Sequence, residues 1–205
     1  MADTANIDVS GTGRRPVIHP LYVRITHWIN ALAMLVMIGS GWQIYNASPL
    51  FPFTFPTSAL GGWLAGGLLW HFAAMWVLIV NGSVYFTVAV ATGHFGKLLP
   101  IRPGDVARDL AAALTGRLNR DVAHYNAVQK LVYAGILLTG VVIVLSGFAI
   151  WKPVQLREVT LLFGGYEAAR YVHFFAMAVI VLFFVLHVIM ALLVPKSLRA
   201  MITGR

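Results

Sequence analysis

Four apolar stretches, each long enough to cross a hydrocarbon core of about 30 Å, constrain this chain more than any other feature. They run over about Leu21–Tyr45, Gly62–Ala91, Val128–Trp151 and Ala169–Val194. No water reaches backbone groups inside a bilayer, so a spanning segment is either a helix or part of a closed barrel. Uninterrupted apolar runs of this length, without strand alternation, are helices. The fold expected is therefore all-α: an integral membrane four-helix bundle over residues 21–195, between polar tails at 1–20 and 196–205. Composition agrees. The chain is 59% hydrophobic and 11% charged, whereas soluble domains carry about a quarter charged residues.

The charges that remain set the topology. Of the 15 Lys and Arg, only Lys152, Arg157 and Arg170 fall on the side opposite the two termini. The positive-inside bias then puts both termini and the long Thr92–Ala127 connection in the cytoplasm of a bacterial inner membrane. The net charge of +8 reflects this flanking pattern rather than nucleic-acid binding. The first twenty residues are polar, so a cleaved signal peptide is not expected. Within the long connection, Pro103-Gly104-Asp105 opens a helical segment to about Leu114, either interfacial or a plain loop helix. Trp42, Tyr45, Trp63, Trp151, Tyr166 and Tyr171 would form an aromatic belt at the outer interface. No internal sequence repeat is apparent.

Absence of cysteine excludes disulfides, iron–sulfur clusters and thioether-linked haem. Histidine is the conspicuous polar residue of the spans, and such residues are rare and functional. His173 and His187 lie fourteen residues apart in the fourth span. That separation is about 21 Å along a helix and within about 40° of one face. Two imidazoles so placed suit two stacked cofactors. His27, in the first span, and His187 both lie roughly 9–12 Å inside the cytoplasmic boundary. His71, in the second span, is the remaining match for His173 near the outer boundary, although its depth fits less closely. Two neutral imidazoles on one iron leave no open position, which favours electron transfer over oxygen chemistry. The expectation is two non-covalent haem b groups between the helices, with His27, His71, His173 and His187 as axial ligands and no catalytic residue.

Other residues admit two readings. Gly39, Gly41, Gly135, Gly140 and Gly147 would admit flat macrocycles or simply pack helices closely. Arg24 and Arg170, each three residues before a ligand, would meet haem propionates or would be snorkelling, topology-setting arginines. His124, Asn126 and Gln129 gather polar groups where the third span enters, either as a quinone site near the inner haem or as capping and surface polarity. His19 and His94 read as solvated interface residues.

These residues resemble a family: the four-helix dihaem cytochrome b subunits that anchor nickel–iron hydrogenases, formate dehydrogenase and thiosulfate-reductase-type enzymes, related to bacterial cytochrome b561. The carriers are Arg24-Ile25-Thr26-His27-Trp28, then His71, then His173 with His187, and the resemblance runs from about Ile18 to Lys196. Gly61–Gly67, Asn81-Gly82-Ser83-Val84-Tyr85 and Tyr125–Lys130 are similar to the thiosulfate-reductase-type branch, whose members often couple to molybdopterin oxidoreductases. The resemblance implies an electron-relay subunit between a periplasmic partner oxidoreductase and the quinone pool. The alternative is a stand-alone cytochrome b561-type quinone oxidoreductase with a small-molecule redox partner such as superoxide. A homodimer is compatible with either. A metal or solute transporter, the third reading, would gather histidine with carboxylates at one depth.

Overall fold

The computed structural model describes residues 21–56, 63–91, 100–115, 127–193 and 195–204. Every regular element among them is a helix. They are α1 (Leu21–Ala47), α2 (Leu64–Ala91), α3 (Pro103–Leu114), α4 (Ala127–Trp151), α5 (Arg157–Leu162), α6 (Tyr166–Leu193) and α7 (Pro195–Thr203). Four of these, α1, α2, α4 and α6, are long and apolar enough to cross a membrane, so the chain is an all-α, multi-pass bundle. Large apolar side chains such as Leu32, Leu69, Leu138 and Leu182 stand exposed on the spans. Lipid is the medium that makes such a surface stable.

The bundle is two hairpins. α1 packs on α2 and α4 packs on α6, while backbone approach between the hairpins is sparse. Small residues let each pair close. Ala33, Ser40, Ala74, Ser146, Ala149, Ala169 and Ala176 are buried. A Cβ on Gly67 would sit 3.1 Å from Gln43 Cβ, so α2 lies directly against α1. This is the packing expected inside lipid, where apolar bulk supplies no net drive and close van der Waals contact does.

Rings rather than backbones join the hairpins. Tyr45 and Phe51 meet Phe174 at 5.4 and 5.1 Å between ring centroids, and Phe72 meets Trp151 at 5.0 Å. The segment after α1 folds back as a lid. Asn46 donates to the Phe55 carbonyl and accepts from its N–H, and Phe55 stacks on Trp42 at 4.9 Å. The expected belt therefore divides: Trp63, Tyr166 and Tyr171 are exposed, whereas Trp42 and Tyr45 are bound into this ring cluster.

Two short helices add to the four-span plan. α5 turns the chain into α6 through Gly164 and Gly165, at φ 85° and 105°, a conformation glycine adopts without strain. Buried Thr160 of α5 places its hydroxyl 3.1 Å from the Leu156 carbonyl and 3.3 Å from the Ala149 carbonyl, so α5 lies against the end of α4. α7 begins at Pro195 and ends at Thr203, just before Gly204 at φ 84°, which matches the usual proline start and glycine stop. Its last carbonyls, those of Met201 and Ile202, accept from the Arg24 guanidinium, and Trp28 Nε1 donates to Met201 at 3.3 Å.

A candidate haem site built on facing histidines

The structure brings the span histidines together in twos. His27 of α1 faces His187 of α6 with ring centroids 6.0 Å apart. His71 of α2 faces His173 of α6 at 6.5 Å. Each pair joins one hairpin to the other across their sparse seam. Metal–imidazole bonds run about 2.0 Å, and a ring centre lies about 1.1 Å beyond its nitrogen, so one metal ion held in line between two imidazoles would separate their centroids by roughly 6.2 Å. Both pairs stand near that separation.

The His71–His173 pair is held by its Nδ1 atoms. His173 Nδ1 lies 3.1 Å from the Ile143 carbonyl and 3.1 Å from Ser146 Oγ. A carbonyl only accepts, so Nδ1 carries the proton and Nε2 keeps the lone pair a metal requires. His71 Nδ1 lies 3.1 Å from Ser40 Oγ. Ser40 and Ser146 are the largest side chains fully buried in the described protein. Each is followed by a glycine against the same ring. A Cβ on Gly41 would come 3.4 Å from His71 Cε1, and one on Gly147 would come 3.2 Å from His173 Cε1. Gly135 and Gly140 have no such neighbour within 4 Å. In the His27–His187 pair, His187 stacks on Phe183 at 5.9 Å and His27 meets the Trp28 ring edge-on at 5.3 Å.

Neither serine stands out in the amino-acid sequence. Their signal was a step that occurs twice, Ser40-Gly41-Trp42 and Ser146-Gly147-Phe148, once in each hairpin and each time opposite a histidine. It is too short to read as a repeat.

Arg24 engages the end of α7, as above. Arg170 pairs with Glu167 at 3.0 Å and donates to the carbonyl and hydroxyl of Ser48, fastening α6 to the aromatic lid. Of the quinone constellation, His124 and Asn126 lie outside the described residues, as do His19 and His94, and Gln129 sits in the first turn of α4. The Ala127 N–H at the start of α4 donates to Asp109 Oδ2 of α3 at 2.8 Å. A cavity of about 210 Å³ opens there, walled by Arg102, Asp105, Arg108, Asp109 and Lys130.

A membrane bundle that presents histidines in facing pairs at two levels, with Nδ1 of the His71–His173 pair engaged, has the donor set of a b-type haem carrier. The chain belongs to the prokaryotic cytochrome b561 family, whose model matches residues 18–204. It is a multi-pass membrane cytochrome of the haem b type. It is 47% identical over 190 residues to the putative protein-methionine-sulfoxide reductase subunit YedZ1 of Azospira oryzae, covering 91% of this chain and 96% of that protein. It is 28% identical over 191 residues to the probable Ni/Fe-hydrogenase B-type cytochrome subunit of Cupriavidus necator, covering 83% and 76%. No solved structure matches it.

Proposed function

We propose that this protein is a dihaem electron-relay subunit. His27 with His187 would hold the inner haem and His71 with His173 the outer one. Haem bound at these positions supplies a one-electron couple on each side of the membrane. The observation that carries the reading is the two facing pairs at 6.0 and 6.5 Å, both reached from α6 by residues fourteen apart. The protein's own part is to fix the rings, exclude water with the aromatic lid, and place charge at each end. Arg24 and Arg170 are the guanidinium groups near the two levels. Each retains N–H donors beyond those already engaged, and these would meet propionates.

Both termini would be cytoplasmic. The relay would join the quinone pool, met near the inner haem at His124, Asn126 and Gln129, to a redox enzyme on the periplasmic face. The 47% likeness to a methionine-sulfoxide reductase subunit supports a reductase as that partner, with electrons running outward from quinol. Membership of the cytochrome b561 family also supports a self-contained form that exchanges electrons with a small molecule such as superoxide. Co-purification from native membranes separates the two: a one-to-one catalytic partner sustains the relay, and a lone active cytochrome sustains the other.

The direct test is haem stoichiometry. Purified protein should give two haem b per chain in the pyridine haemochrome assay. His187→Ala should lose the inner haem alone and His173→Ala the outer alone. One haem per chain in the wild type, or loss of the same haem in both variants, defeats the scheme.

A further inference from the structure

The hydrogen-bond arrangement around Ser40 and Ser146 points beyond small-residue packing. Ser40 Oγ donates its single hydrogen to the Val36 carbonyl at 2.6 Å, one helical turn back. Ser146 Oγ donates to the Ile143 carbonyl at 3.1 Å. With the hydroxyl hydrogens spent on their own helices, both oxygens turn lone pairs toward the histidine Nδ1 atoms 3.1 Å away. Both serines are fully buried, so no water competes for that contact. Each belongs to the helix opposite its histidine, α1 to α2 and α4 to α6, and each is followed by a glycine that lets the ring lie against the backbone.

We infer that Ser40 and Ser146 are matched positioning residues that fix the Nδ1–H tautomer of His71 and His173 and lower the reduction potential of the outer haem relative to variants lacking the hydroxyl. The inference rests on the dihaem reading above. An Nδ1–H that donates into an acceptor makes Nε2 a more basic ligand and favours the ferric state. With His71 and His173 holding one haem, the effects of the two serines would add at a single centre. Electrons would therefore meet a tuned step at the outer haem.

The test is a haem-resolved redox titration of the purified protein carrying Ser40→Ala, Ser146→Ala, or both. Alanine keeps the small volume, so a serine present only for helix packing would leave the potential where it was. The expected result is an upward shift confined to the outer haem. Its size should approach a tenfold change in the oxidised-to-reduced ratio in the double variant, which is 59 mV for a one-electron couple. Selective loss of the outer haem with the inner retained also supports a positioning role. An unmoved outer potential with both haems bound overturns the inference, and so does loss of both haems in either single variant. A wild type with one haem per chain instead overturns the dihaem reading on which it stands.

Discussion

Gly147 and Gly41 stand in the same relation to their histidines and differ by a few tenths of an ångström. A Cβ at 147 would meet His173 Cε1 at 3.2 Å, inside comfortable contact, whereas one at 41 would meet His71 at 3.4 Å. Gly147→Ala should displace the His173 ring and reduce bound outer haem several-fold, while Gly41→Ala should bind nearly as much haem as wild type. Total haem b per chain from the haemochrome, with the haem that is lost assigned by a haem-resolved redox titration, checks both, and equal loss in the two would contradict this account. At this scale the histidines were legible because an imidazole in an apolar span is costly unless it has work to do. The serines were not. A hydroxyl in a membrane helix satisfies itself on its own backbone, so Ser40 and Ser146 read as small packing residues until the opposing rings are seen. Arg24 was legible as a cation one turn from a span histidine, but its hold on α7 depends on a tail whose return to α1 no local pattern announces.

Among the elements, α3 shows how a loop helix does structural work. Its Asp109 accepts the Ala127 N–H and so satisfies one of the donors left open at the start of α4, where a carboxylate also suits the positive end of the helix. Asp109→Ala should lower stability by about 1 kcal/mol, seen as a lower thermal midpoint in detergent, and Asp109→Asn should restore most of it. An unchanged midpoint in the alanine variant would remove that role. The α3 boundaries were readable from Pro103 and the apolar spacing that follows it. α7 was less so. Pro195 reads equally as the stop after a span and as the first residue of a new helix, and nine residues hold too few turns for periodicity to decide.

For the whole molecule, the absence of cysteine makes orientation measurable in an otherwise native background. Val154, 81% exposed beyond α4, should react with an impermeant thiol reagent from the periplasmic side as Val154→Cys. Thr203→Cys, at the end of α7, should react only from the cytoplasmic side. Labelling of both from one side would overturn the proposed topology. The number of spans was legible from length and apolarity alone. Which helices pair was not, because a surface that faces lipid and one that faces a macrocycle are equally apolar, and neither leaves a stripe to read.

The sparse seam between the hairpins carries a consequence for biogenesis. Each hairpin closes on its own small residues, so it can form as soon as its two helices have entered the bilayer. Joining the halves depends on rings and paired imidazoles that reach across. The prosthetic groups would then be the keystones of the fold as well as its wiring, and haem supply would decide when assembly finishes.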